Sequence, residues 1–300
     1  MLRSILVPVD GSPFGEYGLG QALEIAEKAQ AVVHVAMVHV PDTYTEVFPT
    51  HSQDLEFAAK TREKTYLDDL KSRVAALSDA KVQYHHLEGI VAETLEEEVA
   101  ERKIDLIVMS SHGWGYVTRA ILGSTTDRLV RRLTVPTLIA HPPENFQGLA
   151  RPKPVRRMLI TLDGSELAEK ILPPALELGN LWRAEFGLLK IVRPPAHLIG
   201  LFTTQKTSQA DHELIEKARD KGVKYLEQIV RSHALVASTK LLVHPRPSEA
   251  IIGEITAGGW NMVAMATHGR GGVRRLALGS VSDKVMRGSP VPVLIYHPGK

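Results

Sequence analysis

One pattern occurs twice in this chain, 156 positions apart, and it constrains the fold more than any other feature. Ser110-Ser111-His112-Gly113 is followed by nine residues and then Gly123-Ser124, and Ala266-Thr267-His268-Gly269 is followed by nine residues and then Gly279-Ser280. Glycine at fixed offsets marks backbone that approaches another group closely or adopts a positive φ, so a doubled glycine pattern implies a doubled site. The register extends well past the glycines. Arg119 and Arg275, Asp127 and Asp283, Val135-Pro136 and Val291-Pro292, and His141-Pro142 and His297-Pro298 keep the same spacing. Leu6 and Asp10-Gly11-Ser12 match Leu159 and Asp163-Gly164-Ser165 at an offset of 153. The chain is therefore a tandem duplication with one period per domain.

A length of 300 residues allows each half its own core. Domains are expected over 1–143 and 155–300, joined by a linker over 144–154 inside a stretch bounded by Pro142 and Pro154. Within each half, short β-branched runs alternate with longer helical periods, the signature of parallel βαβ units. In the first half, strands are expected at 4–9, 32–40, 82–87, 104–109 and 136–140, with helices at 16–29, 55–77, 94–102 and 125–132. In the second, strands fall at 157–162, 186–192, 239–243, 262–266 and 293–296, with helices at 167–178, 211–232, 248–256 and 281–286. The fold class is α/β, each half a parallel five-stranded sheet with helices on both faces.

Composition excludes several partners and chemistries. With 36 basic and 34 acidic residues the net charge is only +2, too weak a field to predict nucleic acid or an anionic membrane as partner. The absence of cysteine removes disulfides, thiolate catalysis and cysteine metal sites. Pro8, Asp10 and Gly11 interrupt the apolar start before a signal sequence forms, and no long apolar stretch predicts a membrane span. A cytoplasmic location is the expectation.

In doubly wound sheets, ligands lie beyond the carboxyl ends of the strands where the winding reverses. Asp10-Gly11-Ser12 ends the first strand of its half, His112-Gly113 follows the fourth, and Gly123-Ser124 opens the next helix. A helix N-terminus offers unpaired N–H groups and partial positive charge, which suit a phosphate. Ser124 and Thr126, like Ser280 and Ser282, are expected to add hydroxyl donors there. Asp10 and Asp163 repel phosphate and better suit ribose hydroxyls or a bridging divalent cation. Simpler readings stand beside these: a capping Gly-Ser, an Asx-turn aspartate, packed histidines, and a solvated face at Arg270, Arg274 and Arg275.

These residues resemble the universal stress proteins in their tandem two-domain form. The resemblance runs from Ile5-Leu6-Val7-Pro8-Val9-Asp10-Gly11-Ser12 to Val291-Pro292-Val293-Leu294-Ile295. ATP-binding members of that family carry Gly-x2-Gly-x9-Gly-[Ser/Thr], and both halves keep its last three fixed positions but place Ser110 or Ala266 at the first. A Cβ there narrows the backbone's choices. The resemblance implies two Rossmann-like domains of the adenine nucleotide alpha hydrolase type, binding ATP, AMP or ADP, with Mg²⁺ bridging the phosphates and no metal held by the protein alone. It places Asp10 and Val40 beside the nucleoside, Met109 and Ser110 near the ribose, and His112, Gly113, Gly123, Ser124, Thr125 and Thr126 around the phosphates. The matching positions are Asp163, Ile191, Met265, Ala266, His268, Gly269, Gly279, Ser280, Val281 and Ser282. It also implies that the domains pair through their last strands, and it leaves a homodimer of whole chains open.

The implied role is a nucleotide-binding stress or signalling protein without catalytic residues and with little or no turnover. A scaffold that has lost nucleotide binding is the alternative, supported by the missing first glycines. A slow ATP-hydrolysing enzyme is a weaker one, since no Gly-x4-Gly-Lys-[Ser/Thr] loop and no lysine at either phosphate loop is read.

Overall fold

The computed structural model describes residues 1–41, 49–111, 123–143, 146–194, 209–267 and 278–297, in two compact units, Met1–Lys153 and Pro154–Lys300. In the first unit the order is β1 (Ser4–Pro8), α1 (Tyr17–Ala29), β2 (Val32–His39), α2 (Pro49–Leu77), β3 (Lys81–Glu88), α3 (Val91–Glu101), β4 (Leu106–Ser110), α4 (Ser124–Arg132) and β5 (Thr137–Ala140). The strands lie side by side as β3-β2-β1-β4-β5, and all pair in parallel. β1 and β4 are buried throughout or nearly so, which explains their continuous apolar runs. The edge strand β3 alternates and is only half-buried.

Helix faces follow from the same patterning. Ala92, Leu95 and Val99 of α3 lie on one face and, with Leu129 and Leu133, close a core over Leu6, Ala36, Ile107 and Met109 of the sheet. α2 turns Leu67, Leu70 and Val74 inward at the same spacing. α1 ends at Gln30, in the left-handed region at φ 56°.

The second unit repeats this order with β6 (Arg157–Thr161), α5 (Glu166–Glu169), α6 (Leu172–Asn180), β7 (Glu185–Val192), α7 (Gln209–Ser232), β8 (Ala237–Val243), α8 (Pro247–Ala257), β9 (Met262–Ala266), α9 (Ser280–Gly288) and β10 (Val293–Tyr296). Its strands run β8-β7-β6-β9-β10 and are likewise parallel. The helix expected at 167–178 is two pieces, because Pro173 and Pro174 carry no N–H to donate to the preceding turn and instead occupy the first turn of a new helix.

The winding reverses between β1 and β4 in one unit and between β6 and β9 in the other. Leu6 lies opposite Ile107 and Leu159 opposite Val263, so the reversal has the same register in both. The described residues of the expected linker pack against the first unit. Phe146 meets Tyr17 edge-on with ring centroids 4.8 Å apart, and Arg151 donates to the Leu77 carbonyl at 2.7 Å. Among the described residues, no helix is long and apolar enough to cross a membrane.

Candidate functional site

At the carboxyl end of β1 the chain makes an Asx turn. The Asp10 Oδ1 accepts from the Ser12 amide at 3.0 Å and from the Ser12 hydroxyl at 2.6 Å, while the Gly15 amide donates to Ser12 Oγ at 2.9 Å. The second unit repeats it: Asp163 Oδ1 accepts from Ser165 N at 2.9 Å and Ser165 Oγ at 2.6 Å, and the Ala168 amide donates to Ser165 Oγ at 3.1 Å. Gly11 and Gly164 lie at φ 81° and 88°, which explains glycine after each aspartate. The turn occupies Oδ1 and leaves Asp10 solvent-exposed and Asp163 part-exposed.

Beside it, at the end of the neighbouring strand, the second loop is closed by backbone. The Gly123 amide donates to Ser111 O at 2.9 Å and the Gly279 amide to Thr267 O at 2.8 Å. Neither glycine needs a positive φ, since both are extended near −60° and 141–144°. Close approach is the constraint: a Cβ on Gly279 would lie 2.7 Å from Thr267 O, whereas on Gly123 it would lie 3.4 Å from Ser111 O. The first intrahelical amides of α4 and α9 are those of Asp127 and Asp283, so the three amides before each face the helix N-terminus.

The hydroxyls at these termini divide into two pairs. Ser124 and Ser280 are exposed. Thr126 and Ser282 are buried, and they donate to Ser110 O at 3.1 Å and Thr267 O at 2.9 Å. The expectation that all four present donors to a ligand is corrected for Thr126 and Ser282, because carbonyls at the strand ends accept those hydroxyls. Thr125 and Val281 are half-buried, and Met109 and Met265 are buried in the cores. His112, Gly113, His268 and Gly269 lie outside the described residues, as do Arg119, Arg270, Arg274 and Arg275.

Ser110, which stands at the motif's first glycine position, turns its hydroxyl to the start of α1. Its hydroxyl accepts from the Gly18 amide at 3.1 Å and donates to Gly15 O at 3.3 Å, so it caps the N-terminus of α1, which has no side-chain cap of its own. The narrowing expected of a Cβ there is directed at α1. Ala266 is part-exposed at the matching place.

Val40 follows β2 and is 56% exposed. Ile191 does not match it. Leu6 lies opposite His34 and Leu159 opposite Gly187, which sets Arg193 at the place of Val40 and leaves Ile191 within β7, opposite Leu242. The strand register sets the match two residues beyond Ile191, at the same 153-residue offset that relates Asp10 to Asp163.

Charged groups around the aspartate loops escaped the motif reading. Glu16, 3% exposed, takes two guanidinium bonds from Arg73 at 2.7 and 2.8 Å. Tyr66 lies beside it, and burial together with that carboxylate holds its hydroxyl above its ordinary pKa. His39, buried at the end of β2, sets Nδ1 2.9 Å from Glu63 and Nε2 2.7 Å from Glu56, and His86 also meets Glu63 at 2.7 Å. Desolvation lowers the His39 pKa, but the hydrogen bonds of Glu63 and Glu56 outweigh it and the net shift is upward. In the second unit Lys190 reaches the Asp163 carbonyl. Of these, His39 and Lys190 stand as polar residues inside apolar strand runs, VVHVAMVH and EFGLLKIV, a signal that could have found them.

Comparison with known proteins accords with this doubled geometry. The profile of the universal stress protein family matches residues 1–141 and again 154–297. A universal stress protein of Synechocystis is 24% identical over 320 residues, covering 99% of this chain and all of the relative. One from Mycobacterium tuberculosis is 26% identical over 195 residues, covering 64% of this chain; the match spans only 61% of that relative's length. The crystal structure of a universal stress protein from Archaeoglobus fulgidus superposes with a TM-score of 0.69 at 19% identity, covering 99% of this chain and 98% of that one, a likeness of fold.

Proposed function

Because the chain belongs to the universal stress protein family, we propose that it is a regulatory protein that binds an adenine nucleotide, ATP or AMP, in its two units, with little or no turnover. One observation carries this reading: in both units an Asx-turn aspartate and a helix N-terminus with an exposed serine stand at the carboxyl ends of adjacent strands where the winding reverses.

The donor set fits such a ligand. The amides at Ser124–Thr126 and Ser280–Ser282, with the hydroxyls of Ser124 and Ser280, suit phosphate oxygens. The Asp10 and Asp163 carboxylates, acceptors only, suit ribose hydroxyls, or Mg²⁺ bridging the phosphates, and they repel the phosphates themselves. Val40 offers an apolar face to the base in the first unit. Ser110 supports the reading over a scaffold that has lost the nucleotide, since its hydroxyl is engaged with α1.

Calorimetric titration of the full chain with ATP and Mg²⁺ tests it. Binding with negligible phosphate release is the expected result, fast release would make the protein an enzyme, and no heat up to millimolar ATP would leave a scaffold. Asp10→Asn with Asp163→Asn keeps the Oδ1 acceptor of each turn and removes the charge. ATP affinity should fall about tenfold or more if the carboxylates meet ribose or Mg²⁺, and unchanged affinity refutes that assignment.

A further inference from the structure

His34 of β2 and His85 of β3 meet on the sheet face that α3 covers, where Ala36, two residues on from His34, packs with Ala92, Leu95 and Val99. His34 is 7% exposed and His85 is half-buried. His34 Nδ1 lies 3.1 Å from His85 Nε2, and the rings stack with centroids 5.3 Å apart and planes 22° from parallel. A hydrogen bond between two ring nitrogens needs one N–H and one bare nitrogen, so it exists only while at least one ring is neutral. Burial disfavours the charged form of both rings, and Arg102, just past α3, adds to it; Glu98, and for His85 also Glu101, oppose this without reversing it. Arg102 Nε itself donates to Glu98. The second unit builds the same place without histidine. Strand register puts Gly187 at the place of His34 and Lys240 at that of His85, and the 156-residue offset puts Glu254 at the place of Glu98. The Trp260 ring fills the space over Gly187, where a Cβ would lie 2.2 Å from it, and Glu254 accepts from Lys240 at 2.6 Å and from Trp260 Nε1 at 3.3 Å. Lysine and glutamate keep their charges over the range in which histidine titrates.

We propose that the His34–His85 pair is an acid-sensitive latch of the first unit alone: in mild acid a second proton breaks the bond between the rings, sets two like charges face to face beside Arg102, and frees α3 from β2 and β3, while α8 of the second unit stays closed. Leu129 and Leu133 of α4 share the core beneath α3, so the opening reaches the helix whose N-terminus belongs to the candidate site. The sign follows from linkage. Both rings lie below histidine's ordinary value, so the opened pair binds protons more readily than the closed one. Closure is therefore strongest above about pH 6.5 and weakens as pH falls below it, the reverse of His39, whose shift is upward. One ring held neutral at about pH 5 changes the opening equilibrium by up to about 30-fold.

The test is hydrogen–deuterium exchange of the full chain at about pH 7.5 and about pH 5, the latter still above the ordinary carboxylate range, with rates corrected for intrinsic exchange. Protection of α3 peptides should fall about 5- to 30-fold in acid and that of α4 by at least about threefold, while α8 changes by less than about threefold. His34→Asn together with His85→Gln keeps polar side chains that do not titrate, and should remove the acid response of α3. An α3 loss under about threefold in the unaltered chain, an equal loss in α8, an α4 that holds while α3 opens, or an acid response that survives the double substitution would each overturn the proposal. If the double variant does not fold by circular dichroism, histidine-ring NMR of the unaltered chain decides: the pair must take its second proton below about pH 6.5, and a pair already doubly protonated there refutes the latch.

Discussion

Replacing His39 with leucine should loosen the first unit, and more at pH 6 than at pH 9. His39 bridges β2 to the middle of α2 through Glu63 at 2.9 Å and Glu56 at 2.7 Å; its side chain is 4% exposed and those of the carboxylates 20% and 21%. Among the described residues, the other charges facing this cluster include His86 of β3 on Glu63, Lys60 of α2 at 3.3 Å from Glu56, and Glu88 of β3 on Lys60. Two charge-assisted bonds are worth about 1.5–3 kcal/mol each when intact. Glu56 keeps Lys60, Glu63 keeps His86, and leucine recovers some apolar burial, so the net loss should be about 2–3 kcal/mol. The folded-state pKa of His39 lies above its ordinary value. Its stabilisation is therefore complete below the unfolded value of about 6.5 and is lost as pH rises through the raised folded value. Hydrogen–deuterium exchange of α2 peptides, corrected for intrinsic rates, reads this unit alone: protection should fall about 30- to 150-fold at pH 6 in His39→Leu, and by less at pH 9. A loss under about threefold, or an equal loss at both pH values, would refute a charged His39 as the tie.

Other substitutions separate packing from ligand binding. Gly279→Ala should cost about 1–2 kcal/mol in urea denaturation, because its Cβ meets Thr267 O at 2.7 Å, while Gly123→Ala, with 3.4 Å to Ser111 O, should change stability by less than about 0.5 kcal/mol. Equal costs would show that the two loops do not differ in tightness. Ser110→Gly restores the family's first glycine but strips the cap from Gly18, so stability should fall by about 1–2 kcal/mol with ATP affinity unchanged in a parallel titration. A large gain in affinity would mean that the Ser110 side chain faces the ligand after all.

Much of the architecture was legible because it is local or periodic. The β9 and β10 bounds match the expected 262–266 and 293–296, and no other strand end differs by more than two residues. Errors arose where a local signal met a distant constraint. Pro173-Pro174 was read through as helix because the flanking apolar spacing continued. Ile191, implied by the family resemblance, stands two residues short of the equivalent of Val40, which β1–β2 and β6–β7 pairing and the 153-residue offset both put at Arg193. Thr126 and Ser282 looked like ligand donors because they open helices, but carbonyls at the ends of β4 and β9 claim them.

By itself, the sequence determined the duplication, the parallel α/β class and the two Asp-Gly-Ser turns. Each of these depends on hydrophobic period, on repeat register, or on the φ of a glycine whose partners lie two or three residues away. Only the tertiary structure decided that Ser110 caps α1, that His39 ties β2 to α2, and that Lys190 reaches the Asp163 carbonyl. Those contacts join residues 17 to 95 positions apart. They exist because β1 and β4, distant in sequence, are neighbours in the sheet, and because side chains alternating along a buried strand emerge beneath one particular helix or loop.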